Sequence, residues 1–549
     1  MTRLEKGTLY NEDMRGITTS SPVFEHLIQH NLTYVDKTKY IHSLVSSTQS
    51  SFYFVSRPRR WGKSLFCYTL ESLFKGARDL FKGLYIYDKY DFKPYPVLHF
   101  DFNNLDLISS SDAVKWLKGK LIIAANEVGI DLNDSYSPSM MFEMLIEKLY
   151  REKGEVVIII DEYDSPVVSA ALNKPELADD IRSLFNSFYA TVKNKISRIR
   201  FFFITGVLRL SNLSIFSALN NLKDLSMNPS FASAFGYTEE ELDEYFGEGI
   251  DEYLAGTAKN KTSRDELREK IRNFYDGYRF SPASETKVYN PFSIGNFFAE
   301  KCRFDTYWDD TSSSKFAVTL ANNLDLSQFM NTEIALTTAD FKSFDISEIN
   351  KETLKRNAIA ALLYYSGYLT ISEKSNTEKI YLGFPNNEVS STFTISLMRR
   401  YSKDSTIAGL LIVDARDAAR NGDTAALIKS LNDYYDQVTS ALVSNRYEQP
   451  YQLIMHMFFI AAGCRAVAEL PTKLGRIDNS MEIGNHIYLF ELKVDQNAET
   501  ALNQIKEKEY DKLFATQLKQ GKILHNVGIS ISSEKRGIVE YKEEILSLK

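Results

Sequence analysis

Four short runs rich in apolar residues mark roughly the first two hundred positions. They are "SSFYFVS" around 51–57, "YPVLHFDFNN" at 95–104, "GEVVIIIDEYDSP" at 154–166 and "RIRFFFITGV" at 198–207. All four read as strands, and the third, whose apolar stretch does not alternate with polar positions, suits a strand buried on both faces, as in a parallel sheet. Helical patterns lie between the runs. One extends from Lys63 to about Lys75, "DAVKWLKGKLIIAANEV" follows the second run, and "PELADDIRSLFNSFYATVKNK" follows the third. Alternation of strand and helix predicts a doubly wound α/β domain with a parallel sheet over residues 1–235.

From about Tyr237 the pattern becomes helical and acidic, as in "YTEEELDEYFGEG". A mostly helical lid or connector is expected over 236–435, with one strand pair around "GYLTISEKSNTEKIYLGFP". A last unit, 436–549, opens with the helix "QPYQLIMHMFFIAAG". It continues through the strand-like "RAVAELPTKLGRIDNSMEIGNHIYLFELKVD", the helix "AETALNQIKEKEYDKLF" and the strand "ILHNVGISIS". That is a second α/β domain in the order α-β-β-β-α-β.

Composition narrows the class. A chain of 549 residues needs several cores, and 44% apolar content can supply them. The net charge of -7 leaves no global basic field for nucleic acid, so any such contact must be local. Cys67, Cys302 and Cys464 lie too far apart for a metal motif or a disulfide framework, which fits a reducing cytoplasm. The N-terminal residues lack an apolar signal core, and no apolar run is long enough to span a bilayer.

The chemistry begins at "SRPRRWGKSLF". Gly62-Lys63-Ser64 matches the end of a phosphate-binding loop, but Arg57 stands where the opening glycine belongs. Such a loop aims backbone N–H groups at phosphate from a helix N-terminus; its lysine reaches the outer phosphates and its hydroxyl ligates Mg²⁺. Pro58 fixes one φ angle, and the arginines Arg57, Arg59 and Arg60 can add charge near phosphate. Asp161 and Glu162, at the end of the third strand, suit a Mg²⁺ ligand and a residue that polarises the attacking water. Thr205 is placed to sense a γ-phosphate. Arg209 reads equally as a nucleotide sensor, a contact to a neighbouring subunit in a homo-oligomer, or an arginine bonded to its own backbone or an acid. Asp36 and Lys37 read mainly as helix-start residues, with a base pocket as the alternative.

Taken together, "YVDKT", "RPRRWGKSL", "IIIDEYDSP", "TGVLRLSNLSIFSALNNL" and "GYTEEEL" resemble the AAA-ATPase-like proteins common in bacteria, whose loop carries R-P-R-R-[FW]-G-K-S. The resemblance covers the first 230 to 300 residues. It makes the missing glycine a family feature and implies a P-loop domain that binds ATP with Mg²⁺. Arg57, Pro58, Arg59, Arg60, Trp61, Gly62, Lys63, Ser64, Leu65 and Arg209 are the candidate nucleotide residues, Ser64 and Asp161 the candidate metal ligands, and Glu162 the candidate catalytic residue.

The terminal unit offers "GRIDNSMEI" and then "YLFELKVD". Glu491 and Lys493, two apart on one strand, share a face. Asp478 brought to that face would complete a set of hard oxygens suited to Mg²⁺, and the lysine would orient an attacking water. The competing reading is a solvated Glu-Lys pair on an exposed strand. The segment is similar to the PD-(D/E)XK nuclease superfamily domain that often follows this ATPase. The similarity places its motif on Glu448, Asp478, Glu491, Lys493 and Gln504. Asn479-Ser480 depart from the apolar residues usual there, which questions strand packing. Lys506, Lys508, Lys512 and Lys519 could line a nucleic-acid groove or form a solvated face laced with glutamates. The expectation is an ATPase with a fused Mg²⁺-dependent nuclease; the alternative is a regulatory ATPase whose terminal domain binds nucleic acid or protein without cutting.

Overall fold

A computed structural model describes residues 16–17, 21–103, 105, 109–210, 213, 216, 219, 221–256, 263–310, 334–342, 356–438, 447–472 and 475–547. Parts of the expected lid or connector over 236–435, namely 257–262, 311–333 and 343–355, lie outside these residues.

The four apolar runs form strands β1 (Phe52–Ser56), β2 (Val97–Asp101), β3 (Val156–Asp161) and β4 (Ile199–Gly206). A two-residue strand, β5 (Lys223–Asp224), which the sequence pattern does not reveal, pairs with β1. The order is β2-β3-β4-β1-β5 and every pairing is parallel. All residues of β1 and β3 are buried, as uninterrupted apolar runs require. Helices α1 (Phe24–Gln29), α2 (Thr38–Val45), α3 (Lys63–Phe74), α4 (Ser110–Glu127), α5 (Pro138–Lys153), α6 (Ser165–Asn173) and α7 (Ala178–Asn194) accompany the sheet. The pattern reading missed α5 and α6, although Ser137 caps α5 and Pro138 opens it. Register sets Ser56 beside Gly206 and Asp101 beside Asp161. The carboxyl ends of the strands thus share one edge, where ligands of such sheets bind.

After the sheet come α8 (Glu239–Gly256), α9 (Arg264–Tyr275), α10 (Pro291–Ala299), β6 (Ile334–Leu336), α11 (Thr338–Lys342) and α12 (Arg356–Tyr365). The expected strand pair is β7 (Thr370–Ile371) with β8 (Ile380–Gly383). Next are α13 (Asn387–Tyr401), α14 (Ser405–Arg420) and α15 (Thr424–Gln437). The chain divides into two compact units, 1–307 with 335–382 and 308–334 with 383–549.

The second unit carries α16 (Glu448–Ala461), β9 (Arg465–Pro471), β10 (Arg476–Ile483), β11 (His486–Val494), α17 (Ala498–Glu507) and β12 (Ile523–Ser532), in the predicted order. A further strand, β13 (Gly537–Leu546), follows. Its half-exposed, charged sequence "GIVEYKEEIL" suits a sheet edge and hides it from a search for apolar runs. The sheet order is β13-β12-β11-β10-β9, with β11 and β12 parallel across the α17 crossover and the other pairings antiparallel. Among the described residues no helix is long and apolar enough to cross a membrane.

The crossover helix lies almost on the strand beneath it. A Cβ on Gly528 of β12 would meet the Ala498 carbonyl oxygen and the Leu502 nitrogen, each at 2.4 Å. Both are backbone atoms, so neither can swing aside. Gly528→Ala is expected to destabilise the second unit by about 1–3 kcal/mol, in the range of overpacked cores. Calorimetry on the full chain checks this, and an unchanged unfolding midpoint would contradict so close an approach.

Candidate functional site

The phosphate-loop signature lies between β1 and α3. Gly62 caps α3 at φ 80°, and a Cβ there would meet nothing within 4 Å. The glycine is therefore required by the backbone turn rather than by space. The Lys63 ammonium is 3% exposed and lies 3.1 Å from a Glu162 carboxylate oxygen. It also donates to the carbonyls of Arg57 at 3.1 Å and Pro58 at 3.0 Å. Leu65 is half-buried beside the core that α3 covers.

Arg57 corrects the expectation that its charge lies near phosphate. Its guanidinium is buried and donates to the carbonyls of Ser56 at 2.8 Å, Ser226 at 2.7 Å and Phe231 at 3.3 Å. Burial pulls its pKa down to about 10. The Arg60 guanidinium sits over the Phe292 ring at 4.7 Å, while Arg59 is half-buried and Pro58 buried. Trp61 is 1% exposed and packs edge-on against Tyr278 and Phe280.

The end of β3 supplies two carboxylates. Thr205 donates to Asp161 at 2.5 Å, and the Glu162 amide donates to the same oxygen at 3.1 Å. Burial, then the charge of Glu162, pushes Asp161 above the ordinary carboxylate range; Lys63 and the hydroxyls of Ser64 and Thr205 oppose that shift. Glu162 adopts φ 53°, a left-handed conformation uncommon for glutamate. Lys63, Ser64, Asp161, Glu162 and Thr205 therefore meet at one sheet edge.

Sequence reasoning missed Asp164. This buried carboxylate accepts the amides of Val207 and of Leu208, the latter at 2.7 Å, and so holds the turn that leaves β4. Burial, then Glu162, raises its pKa to about 7. The signal was the third acid in "DEYDSP", just before the α6 start. Arg209 forms an ion pair with Asp224 at 3.1 Å. Asp36 caps the start of α2 through Thr38, and Lys37 pairs with Glu241 at 2.5 Å. Both contacts are those of structural residues.

In the second unit every motif residue converges. Asp478 on β10 accepts the Leu492 amide at 2.8 Å. Lys493 lies 3.6 Å from Glu491 and 3.7 Å from Glu448, which opens α16. Gln504 of α17 donates to Glu491. The other oxygen of Glu491, Oε2, is buried without a hydrogen-bond partner. Burial, then Asp478, raises Glu491 to about 8, and burial raises Asp478 to about 6. Two hard carboxylates, one with an unpartnered oxygen, fit a divalent cation completed by water and phosphate oxygens. Among the described residues no group of three or more His, Cys, Asp or Glu is arranged to hold a metal ion on its own.

Asn479 is fully buried, bonded to His456 at 3.0 Å and to the Gln452 carbonyl at 3.2 Å, so the polar departure on β10 is satisfied by α16. Lys506 and Lys512 pair with Glu544 and Glu509, which favours the solvated-face reading for those two.

Residues 17–216 match the model of the predicted AAA-ATPase family, and residues 446–541 that of the PD-(D/E)XK nuclease superfamily. An uncharacterised protein from the vnfD 5′ region of Azotobacter chroococcum mcd 1 is 31% identical over 535 residues, covering 93% of this chain and 95% of that one. The chain belongs to this family of predicted AAA-ATPases with a terminal PD-(D/E)XK domain. Solved structures with partial likeness include a Walker-type ATPase of Pyrococcus abyssi, 10% identical over 65% of this chain and 94% of that one, at TM-score 0.33. Another is the ORC2 protein of Aeropyrum pernix, 12% identical over 68% and 93%, at TM-score 0.28.

The raised carboxyls of the PD-(D/E)XK domain make its stability depend on pH. In the metal-free folded protein, Glu491 and Asp478 keep protons to about pH 8 and about pH 6. In the unfolded chain they lose them near pH 4. Their contribution is therefore fully present below about pH 4 and is lost as pH rises through about 6 and then about 8. In chelator, the unfolding midpoint of wild type is expected to fall more between pH 6 and 8 than that of Glu491→Gln. Parallel curves would show that Glu491 does not titrate there.

Proposed function

We propose that the protein binds and hydrolyses ATP and that its terminal domain cleaves nucleic-acid phosphodiesters with Mg²⁺, acting in the cytoplasm. What supports the first part is the meeting of Lys63, Asp161, Glu162 and Thr205 at the carboxyl edge of one parallel sheet. Gly62 opens α3 with a left-handed turn, and the free amides of a helix start suit phosphate. Lys63 exchanges Glu162 for the outer phosphates, and Glu162, released, orients a water. Thr205, hydrogen-bonded to Asp161, would sense the γ-phosphate. Mg²⁺ on Ser64 and Asp161 would neutralise charge on the phosphates. Arg209 would have to leave Asp224 to reach a neighbouring copy in a homo-oligomer.

What supports the second part is the buried, unpartnered oxygen of Glu491 beside Asp478 and Lys493. Asp478 and Glu491 would hold Mg²⁺, which lowers the pKa of a bound water and polarises the phosphate. Lys493 positions that water, while Glu448 and Gln504 hold Lys493 and Glu491 in place.

Two experiments check these roles. Lys63→Ala is expected to lose ATP binding by calorimetry, and Glu162→Gln to keep binding but lose hydrolysis. Binding by Lys63→Ala at wild-type affinity would overturn the nucleotide assignment. On labelled DNA and RNA with Mg²⁺, Asp478→Ala and Lys493→Ala are each expected to cut at least about 10²-fold more slowly than wild type, the loss typical of a missing charge-stabilising group. If all three proteins behave alike, the terminal domain is a binding module in a regulatory ATPase.

A further inference from the structure

The phosphate loop is gripped by a residue that lies far from it in sequence. Phe280 is 3% exposed, and the Arg57 guanidinium lies over its ring at 4.1 Å. Trp61 meets the same ring edge-on, with centroids 4.8 Å apart at 88°. One aromatic ring thus fills the space between the residue in place of the loop's opening glycine and the residue before Gly62. Tyr278 adds a second contact to Trp61 at 4.6 Å. The far side of Trp61 is closed by Gly236, where a Cβ would lie 2.6 Å from the indole. The indole N–H is buried without a hydrogen-bond partner, so packing rather than hydrogen bonding holds the indole.

Phe280 stands on a stiff support. The guanidinium of its neighbour Arg279 donates to the carbonyls of Ser372 at 2.7 Å, Ser284 at 2.5 Å and Pro282 at 3.1 Å. The Arg279 amide donates to Thr370 at 2.7 Å, and the Tyr278 hydroxyl to the Gly367 carbonyl at 2.9 Å. Val288 and Tyr278 exchange backbone hydrogen bonds.

This arrangement answers a physical need. A glycine at position 57 would let the loop find its curve locally, whereas arginine followed by proline restricts it. The shape that aims the loop amides must then be imposed from outside. We propose that Phe280 is a positioning residue for the phosphate loop: clamped between Arg57 and Trp61, its ring holds the backbone in the form that receives the triphosphate of ATP. The inference rests on the ATP-binding reading above.

Calorimetry of Mg·ATP binding to the full chain tests it. Phe280→Ala is expected to bind ATP at least about 10-fold more weakly, since small misplacements of a positioned group cost this much or more. Phe280→Tyr, which keeps the ring, is expected within about 3-fold of wild type. The Trp61 emission, isolated as the difference from Trp61→Phe, is expected to shift to the red in Phe280→Ala and not in Phe280→Tyr. Should Phe280→Ala fail to fold by circular dichroism, Phe280→Leu carries the test, with weakened binding again expected. Wild-type affinity in a folded Ala or Leu variant overturns the inference while leaving the ATP reading intact. Equal weakening in Ala and Tyr denies the ring its role. Absence of ATP binding by wild type overturns the ATP reading and the inference with it.

Discussion

The ammonium of Lys63 is buried at the edge of the first sheet, where one carboxylate and two carbonyls surround it. A buried cation without partners is costly, and removing one partner of a buried pair is worse than never having the pair. Here Glu162 contributes a charge and the carbonyls of Arg57 and Pro58 contribute dipoles. The same contacts close the loop onto the start of α3. The partner carboxylate belongs to Glu162, whose backbone is left-handed, a conformation that costs on the order of 1–3 kcal/mol and persists where its surroundings hold it. A triphosphate arriving at this edge carries more negative charge than one carboxylate. On the proposed reading it would take over Lys63 and free Glu162, so that nucleotide binding and the placing of a water-orienting group would be one exchange of partners.

The terminal domain solves the burial of charge differently. Lys63 is well compensated, but Glu491 and Asp478 are not: one lysine serves both Glu491 and Glu448, and one oxygen of Glu491 has no partner. The outcome is a pair of carboxyls that retain protons well above the ordinary range. Such under-compensation is a cost in the metal-free fold, and it concentrates where a hard cation would remove it. Gln504, donating to Glu491 from α17, limits how far the carboxylate can turn away. Gly528 lets that helix lie close enough to do so.

Sequence alone disclosed much of this, in proportion to how local each determinant is. β1 to β4 were legible because each is rich in apolar residues, Lys63 because it follows Gly62 at the start of the helix after β1, and Asp161 and Glu162 because they stand at the end of β3. Glu448 could be read as a further carboxylate at the start of the preceding helix, but its place in the motif, like that of Gln504, followed from family resemblance. The direction of Arg57 was not legible. Its partners Ser226, Phe231 and Phe280 come from distant segments, and nothing in "SRPRRWGKSLF" marks an arginine that points inward. Asn479 stood out as a polar residue in an apolar strand, yet its partner His456 is buried within "QPYQLIMHMFF" without any outward sign. β13 escaped notice because an edge strand need not be apolar.

The reach of these contacts bears on what counts as the ATPase unit. The family match ends at residue 216, and the sequence pattern changes character near Tyr237. Yet the guanidinium of Arg57 closes on Ser226 and Phe231, and its open face is covered by Phe280. Trp61 is enclosed by Gly236, Tyr278 and Phe280. Replacing a flexible glycine by a buried arginine moves the control of loop shape from the loop to its surroundings. Those surroundings belong to the segment that follows the sheet and are tied in turn to Thr370 and Ser372. A phosphate loop built this way is shaped by the same segment whose sequence suggested only a lid or connector. A rearrangement of that segment would reach the loop through the contacts it makes with Arg57, Arg60 and Trp61.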